Sequence, residues 1–218
     1  MTIFKSADLS QKENYKFLTG SIIPRPIAFV TTLAEDGVTV NAAPFSFFNV
    51  VSSDPAIVSI AVQRANGEQK DTARNAAFTK ELNIHIVSES FVGEMNKTAA
   101  RLAPDVSEID KTSLHLEQVP GMKTPKISEA NIVLTAKLEQ IIPIKNDAGE
   151  IVSDLILARI LTYDFADEVF DSEHHYILPE KLEPVARLAG NDYTKLGDIF
   201  RIERPNKREI VAKQKRPC

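Results

Sequence analysis

The sequence predicts a mainly β fold, an antiparallel β-barrel that carries a few peripheral helices. Apolar, β-branched segments recur along the chain and are paired by short polar turns in the manner of hairpins. Few segments have helical spacing, and those are short. The eight glycines never form GxGxxG or GxxxxGK, so the sequence contains neither a Rossmann fingerprint nor a Walker loop.

The start of the chain predicts a helix followed by a hairpin. Good helix formers over residues 8–19 favour a short helix that Gly20 would close. Two closely spaced prolines then force an extended path. A strand over residues 27–33, a turn containing Gly37 and a returning strand over residues 38–41 form the first predicted hairpin.

A central stretch, residues 41–62, combines small residues, phenylalanines spaced by serine, a break at residues 52–55 and an apolar strand over residues 57–62. That order predicts an apolar floor edged with hydroxyls and backbone amides, which suits a flat apolar ligand with a polar tail.

The rest of the chain predicts two helices and three strands. The helices are one starting at its N-cap Asp71 and one over residues 91–100 capped by Ser88 or Ser90. The strands are one with one buried face over residues 81–87, one over residues 132–142 and one within residues 151–165.

Length and composition bound the class of protein. The 218 residues are 43% hydrophobic and 26% charged, which is ordinary for one globular domain. We expect a single domain over residues 1–218, with an N-terminal extension over residues 1–19 and a basic tail over residues 206–218. The net charge of −4 gives no general reason to expect nucleic-acid binding, and a solvated terminus is the favoured interpretation of the basic run 207–216.

Cysteine usage and hydropathy predict the compartment. Cys218 is the single cysteine and cannot form an internal disulfide, which favours a reducing intracellular compartment. The N-terminus has polar residues too often for a secretory signal, and no run approaches the roughly 18 apolar residues of a membrane span. We therefore expect a cytoplasmic protein with no membrane partner.

The usual catalytic residue types do not form a reaction centre. His174 and His175 are neighbours whose side chains would point to opposite faces of a strand, while His85 and His115 stand apart. Structural or solvated roles are favoured for all four. No metal site is expected, because no acid pair or cysteine cluster lies near them. No serine lies in a GxSxG elbow, so no catalytic side chain is predicted.

One anion site is a candidate. Lys70, Asp71 and Thr72 open a predicted helix, where free amides and the positive end of the helix dipole favour a phosphate. Asp71 is also a fair N-cap that would occupy the same amides, so an ordinary capped helix is the favoured alternative from these residues alone. Ser46 is likewise more simply a strand hydroxyl bonded to a neighbouring backbone group.

Five motifs occur in a recognisable order: SIIPRPIAFVTT at residues 21–32, VNAAPFSFFN at 40–49, DPAIVSIAV at 54–62, KDTARNA at 70–76 and RLAGNDYTKLGD at 187–198. Together they resemble the flavin reductase-like family of FMN-binding split β-barrel proteins. The resemblance covers residues 20–205. It implies an antiparallel, Greek-key-like split barrel, a homodimer, and FMN bound near the dimer interface, with FAD as an open alternative.

The resemblance also implies a set of cofactor-binding positions. Those that would line the isoalloxazine are Thr31, Thr32, Asn41, Ala42 and Ala43. Those that would lie around the ribityl phosphate are Ser46, Lys70, Asp71 and Thr72. The wall would be completed by Phe45, Phe47 and Asn49. Arg187 and Tyr193 match the late motif, near the flavin of the same or of the partner subunit. The small side chains of Ala42 and Ala43 would let backbone amides approach the ring edge.

The function implied is that of an FMN-dependent oxidoreductase of the flavin reductase type. NADH or NADPH would donate hydride at the flavin, and electrons would pass to free flavin, a partner protein or a small acceptor. Because the cofactor carries the chemistry, no protein acid or base is required. Two alternatives stay open from the sequence: an FMN-binding electron carrier without nicotinamide-dependent activity of its own, and a barrel that has lost flavin and serves as an interaction module.

Overall fold

The structure, a computed structural model, describes residues 1–100, 102–103 and 105–204. The predictions for the basic run 207–216 and for Cys218 lie outside the described residues. Within the described chain the α-helices are α1 (Gln11–Ser21), α2 (Asp71–Thr79), α3 (Val92–Lys97) and α4 (Pro179–Leu182). None of these helices has the length and apolar character needed to cross a bilayer.

The strands are short except for one long hairpin. In chain order they are β1 (Arg25–Pro26), β2 (Ala28–Leu33), β3 (Val40–Phe45), β4 (Phe48–Ser53), β5 (Ala56–Gln63), β6 (Glu81–Ile86), β7 (Leu116–Glu117), β8 (Lys126–Ile127), β9 (Ile132–Lys145), β10 (Ile151–Phe165), β11 (Phe170–Asp171), β12 (Tyr176–Ile177), β13 (Ala186–Arg187) and β14 (Tyr193–Thr194). The chain also forms 3₁₀ turns, at Ser6–Asp8, Glu108–Lys111 and Asp167–Val169.

A seven-stranded antiparallel sheet in the order β3-β2-β6-β9-β10-β5-β4 forms the barrel. The two edge strands, β3 and β4, are separated in the chain only by Ser46 and Phe47. The sheet must therefore curve until its edges approach each other, and the Ala61 amide of β5 donates a hydrogen bond to the Phe47 carbonyl at 2.9 Å. This topology confirms the predicted antiparallel barrel with peripheral helices.

The long β9–β10 hairpin is the part of the sheet that the sequence predicted best. Strand β10 has the predicted bounds, and β9 continues past residue 142 to Lys145. Register shifts interrupt the pairing at three places, for example between Leu157 and Ala158. Such bulges bend and twist a long antiparallel pair, which helps the sheet to close.

Apolar side chains cover both faces of β2 and β6. One core cluster, which includes Val30, Ile84 and Ile156, fills the barrel side, and Ala73 of α2 packs into it. A second cluster, which includes Phe29 and Met95, lies between the opposite face of the sheet and α3. Residues 82–85 of β6 are consequently all buried, so the predicted single buried face for this strand was wrong.

Helix α1 and strand β4 also differ from prediction. Helix α1 starts at a capping box between Ser10 and Glu13 and continues through Gly20, so Gly20 does not end it. At its carboxyl end, the buried Arg25 guanidinium donates to the carbonyls of Thr19 and of the C-cap residue Ile22. Strand β4 was not predicted, since it is a largely exposed edge strand within a stretch that the sequence suggested was interrupted.

A three-stranded sheet in the order β1-β13-β14 lies beside the barrel. It brings the proline-flanked Arg25 opposite Arg187 and places Tyr193 on the next strand, also opposite Arg187. Each of these strands has two residues and no detectable alternation, so sequence periodicity could not predict them. The small sheet brings β1, which follows α1, together with the late strands β13 and β14. It lies next to the β3–β4 connection.

Candidate functional site

Two neighbouring clefts contain most of the residues predicted to bind a cofactor. The first cleft has a volume of about 490 Å³ and lies between β3 and the start of α2. The second cleft has a volume of about 560 Å³ and lies between β3, α3 and the β13–β14 turn. The residues that line both are Pro44, Phe45 and Ala99. We use the names first cleft and second cleft for them below.

Strand β3 presents alternate residues to the first cleft. Asn41, Ala43 and Phe45 lie on one face of the strand and line the cleft. Ala42 points to the opposite face and belongs to the core cluster packed against α3. The predicted positions Asn41, Ala43 and Phe45 therefore meet at one surface, whereas the side chain of Ala42 is fully buried away from it.

The start of α2 forms the other wall of the first cleft. The N-cap of α2 is Lys70, and in the described chain no side chain caps the helix. Asp71 was predicted as the N-cap, but it is the first helical residue and its carboxylate pairs with Arg74. The predicted competition between Asp71 and an anion for the helix amides is therefore removed. The Lys70 ammonium lies 6.0 Å from the centre of the Phe45 ring.

Polar side chains link this helix to β3 and β2. The Thr72 hydroxyl donates to Asn41 Oδ1 at 2.7 Å, and Asn75 Nδ2 donates to the Thr32 hydroxyl at 3.4 Å. The hydroxyl hydrogen of Thr72 is thus engaged within the protein, although its oxygen keeps a lone pair. This network fixes the orientation of Asn41 at the base of the first cleft.

Glu108, which the sequence interpretation missed, completes the network. Its carboxylate accepts from Asn41 Nδ2 at 2.9 Å and from the Ala42 amide at 3.0 Å. The neighbouring Ser107 hydroxyl donates to the Val40 carbonyl at 2.6 Å. Together these bonds cover the outer edge of β3, so the Ala42 amide is not free to approach a flavin ring as was predicted. Glu108 is the first residue of the 3₁₀ turn Glu108–Lys111, and only its tertiary contacts with β3 reveal its role.

The carboxyl group of Glu108 lines the first cleft and is largely buried. Burial is the main cause that raises the pKa of Glu108, and the negative charge of Asp71 adds to it. The hydrogen bonds from Ala42 and Asn41 act in the opposite direction. On balance the pKa of Glu108 lies above its ordinary value, because burial outweighs these hydrogen bonds.

Thr31 and Thr32 do not line either cleft. Strand β2 lies between β3 and β6, so both threonines are fully buried. The Thr31 hydroxyl donates to the Pro125 carbonyl at 2.7 Å. Adjacent residues of a central strand face its two covered sides, so the structure does not bring these two side chains to the surface of either cleft.

Phe47 and Asn49 also lie outside the residues that line the two clefts. Phe47 is in the β3–β4 connection and contributes its carbonyl to the bond with Ala61. Asn49 is exposed on β4, and its side-chain oxygen accepts a hydrogen bond from the Val50 amide at 2.8 Å. Neither side chain completes the wall of the first cleft as predicted.

Ser46, Arg187 and Tyr193 line the second cleft. The structure therefore separates Ser46 from Lys70, Asp71 and Thr72, with which it was predicted to surround a phosphate. The Arg187 guanidinium lies over the Tyr193 ring, 4.4 Å from its centre. The Tyr193 hydroxyl donates to Asn96 Oδ1 at 2.8 Å, which connects β14 to α3.

Ser46 is held by a buried arginine. Arg25 Nε donates to the Ser46 hydroxyl at 3.3 Å, and Arg25 Nη2 donates to the Leu188 carbonyl at 2.8 Å. Arg25 is 6% exposed. The sequence placed Arg25 between two prolines but gave it no role, since its partners come from three separate parts of the chain.

The four histidines lie away from the walls of both clefts. His85 is fully buried and bonds through Nδ1 to the Phe29 carbonyl at 2.7 Å, while Nε2 accepts from the Ile127 amide at 2.9 Å. This pair assigns the neutral tautomer with hydrogen on Nδ1, and burial lowers the pKa of His85 to about 4. His115 and His174 are exposed and contact Glu129 and Asp171.

His175 is exposed and stacks against Phe170. These positions agree with the structural or solvated roles predicted for the four histidines. In the described residues, His, Cys, Asp and Glu side chains form no group of three that could hold a metal ion.

The first cleft fits FMN at its phosphate end. The start of α2 has no side-chain cap in the described chain, and a lysine lies at the N-cap, so amides and a cation converge there. Ala43, Pro44 and Phe45 form the apolar wall that a flat ring requires. Lys70, the backbone of Asp71 and Thr72, and these wall residues would hold the cofactor.

Comparison with known proteins identifies the family of the chain. Residues 19–178 match the family model described as "Flavin reductase like domain". The uncharacterized protein YwrF of Bacillus subtilis is 48% identical over 206 residues, which cover 94% of this chain and 100% of YwrF.

Solved structures share the architecture. Nitrilotriacetate monooxygenase component B from Bacillus cereus is similar at 40% identity with a TM-score of 0.89, over 93% of this chain and 98% of that one. The 2-nitrobenzoate 2-nitroreductase NbaA of Pseudomonas fluorescens is similar at 28% identity with a TM-score of 0.84, over 94% and 98% of the two chains. The fold is a split barrel. The chain therefore belongs to the flavin reductase-like family.

Proposed function

We propose that this protein is an FMN-dependent oxidoreductase that takes hydride from NADH or NADPH and passes electrons to free flavin, a partner protein or a small acceptor. The observation that carries the proposal is the open amino terminus of α2 beside Lys70, at one end of a cleft whose wall is apolar. Family membership supports an oxidoreductase role. The names of the two similar structures, a monooxygenase component and a nitroreductase, support it further.

The protein residues have binding and positioning roles. A bound flavin supplies the chemistry of hydride acceptance and electron transfer. Lys70 and the amides of the first turn of α2 would bind the phosphate, and Phe45 and Ala43 would contact the ring system. Asn41 is held in one orientation by Thr72 and Glu108. Phe45 borders both clefts, so a second reactant in the second cleft would lie next to the cofactor.

The visible spectrum of the purified protein, under anaerobic conditions, tests the proposal. Addition of NADH or NADPH is expected to bleach the flavin absorption of the protein loaded with FMN. Bleaching by dithionite but by neither NADH nor NADPH would indicate an electron carrier instead of a reductase. Colourless protein that takes up no FMN on titration would overturn both. Mass analysis of the flavin released on heating distinguishes FMN from FAD.

We also propose that the protein is a homodimer. After β14 the chain continues from residue 195 to residue 204 without further strand or helix. This segment, which we call the C-terminal arm, carries large apolar side chains that are 52–79% exposed: Leu196, Ile199, Phe200 and Ile202. Several large exposed apolar side chains within one short segment favour an interface with another protein.

Light scattering tests the dimer. The wild-type mass is expected to be twice the 24.2 kDa of one chain, and replacement of Phe200 and Ile202 by aspartate should shift it towards one chain. Val38→Asp is the matched control, because Val38 is equally exposed but lies in the β2–β3 turn. A monomeric wild-type protein would contradict the proposal.

A further inference from the structure

Two arginines occupy directly opposed positions in the small sheet. Arg25 of β1 pairs with Arg187 of β13, and like charges at opposed positions are destabilising. Among the described residues neither guanidinium forms an ion pair. Two arginines therefore occupy paired positions of the small sheet, and no carboxylate of the described residues forms an ion pair with either.

The two guanidinium groups differ in how fully they are hydrogen-bonded. Arg25 donates to three backbone carbonyls and to Ser46, so the folded chain uses most of its donors. In the described chain Arg187 donates one hydrogen bond, to the Gly190 carbonyl, and a guanidinium has five N–H donors. Arg187 lines the second cleft and keeps donors for a ligand.

The rest of the second cleft suits a flat anionic molecule. No aspartate or glutamate is among the described residues that line it. Tyr15 and Tyr193 supply aromatic rings, and Asn96 and Asn191 supply amides. The Arg187 guanidinium lies over the Tyr193 ring, and a planar fork is the geometry that binds carboxylate or phosphate through two parallel bonds.

We infer that the second cleft binds a flat ring compound through its oxyanion, with Arg187 as the anion-binding residue. This rests on the proposed function in one respect: the compound is the electron donor or the electron acceptor of the cofactor in the first cleft. Two sources share this chemistry, the diphosphate of a nicotinamide dinucleotide and the carboxylate of an aromatic acceptor. Arg25 positions Ser46 and adds positive charge behind the cleft.

Calorimetric titration of the purified protein, with and without added FMN, tests this inference. The probes are NADH, an uncharged N-benzyl dihydronicotinamide and benzoate. Arg187→Ala is expected to weaken the binding of NADH or of benzoate by about 10- to 100-fold, since charge-assisted hydrogen bonds are lost. The affinity for the uncharged probe and for FMN should be unchanged. Arg187→Lys should lie in between, because it keeps the charge but loses the fork.

The outcomes separate the sources and the hypotheses. A loss with NADH identifies the donor as the ligand, and a loss with benzoate identifies the acceptor. Wild-type protein that binds neither, an equal loss with the uncharged probe, no loss with either anion, or weaker FMN binding would overturn the inference. Arg159→Ala is the control for removal of a surface arginine, since Arg159 pairs with Glu139 on β10. If FMN does not bind but Arg187 still controls anion binding, the proposed function fails, whereas the anion-binding role of Arg187 in the second cleft stands.

Discussion

The two clefts share the wall formed by Pro44 and Phe45, yet their charges are compensated in different ways. In the first cleft, Asp71 pairs with Arg74, and Glu108 accepts two hydrogen bonds from β3. In the second cleft, an arginine lines the wall and another lies behind it, and no acid is among the described residues that line it.

The difference indicates which partners a ligand must supply. Buried polar groups are almost always hydrogen-bonded, and a charge without a partner is costly. In the first cleft the folded chain satisfies its own side chains and leaves mainly the amides of α2 for an anion. In the second cleft a guanidinium with few protein partners remains. On the proposed function, the first cleft would bind the cofactor phosphate through these amides. On the further inference, the second cleft would bind an oxyanion through Arg187.

The largest effect is expected when the phosphate end of the first cleft is removed. Lys70→Ala combined with Thr72→Ala should weaken FMN binding by up to several kcal/mol, because each hydrogen bond to a charged group contributes roughly 1.5–3 kcal/mol. Fluorescence titration of FMN measures the change. Thr72→Ser is the control, since it keeps the hydroxyl that bonds Asn41.

Arg187→Ala should leave the same FMN titration unchanged, because Arg187 lines the second cleft and not the first. Unaltered FMN affinity in the Lys70 and Thr72 double variant would remove these residues from the phosphate site. The interpretation of the first cleft as a phosphate site would then be wrong.

Acid is expected to lower the stability of the fold that supports both clefts, through protonation of His85. The ring of His85 packs on Phe29, which pairs with Pro44 of the shared wall. Burial lowers the pKa of His85 from 6.5 to about 4, so below pH 6.5 the unfolded chain binds the proton more readily than the folded chain. Stability is therefore full above pH 6.5 and falls as the pH drops towards 4, by roughly 3 kcal/mol in total.

Urea unfolding at a series of pH values measures this slope. His85→Gln removes the titrating group, so its free energy of unfolding should lack this dependence between pH 6.5 and 4, whatever its value at neutral pH. Equal slopes in the variant and the wild type would show that another group sets the acid limit.

Glu108 should affect the first cleft alone. Glu108→Ala leaves the Asn41 side-chain amide and the Ala42 backbone amide without their acceptor, and unsatisfied buried donors cost about 1–3 kcal/mol of unfolding free energy. FMN affinity should fall with it, whereas NADH and benzoate binding in the second cleft should not. Glu108→Gln is the matched variant, because it keeps one acceptor oxygen and removes the charge.

The pH dependence of Glu108 has the opposite sign to that of His85. Because burial raises the pKa of Glu108, the folded chain binds this proton more readily above pH 4.5 than the unfolded chain. Its contribution to stability therefore decreases as the pH rises from 4.5 through the raised pKa. Glu108→Gln should abolish that decrease, and a wild-type slope in the variant would contradict the assignment.

Long, regular segments of the fold could be predicted, and short or exposed ones could not. Strand β10 and helix α2 have strong apolar periodicity, and the structure has them close to the predicted bounds. Strands β1, β13 and β14 have two residues each, which is too few for alternation to be visible. Yet these short strands bring Arg25 and Arg187 together and so create the second cleft.

The candidate site was predictable where residues are neighbours in sequence or alternate along one strand. Lys70, Asp71 and Thr72 are consecutive, and Asn41 and Ala43 share a face of β3, so they meet in the first cleft. Glu108 reaches Ala42 across 66 positions of the chain, a contact that no local pattern encodes. Family resemblance placed all cofactor positions in one site, whereas the structure distributes them over two clefts and the core.

The smallest effect is expected from the exposed histidine pair. His174 bonds to Asp171, His175 stacks on Phe170, and neither lines a cleft. His174→Ala and His175→Ala should therefore leave FMN affinity, NADH binding and turnover within error of the wild type. Neither the exposed His174 nor the exposed His175 is among the residues that line the two clefts. A large loss in either variant would show that the β11–β12 turn reaches a cleft, through a second copy of the chain if the dimer places it there.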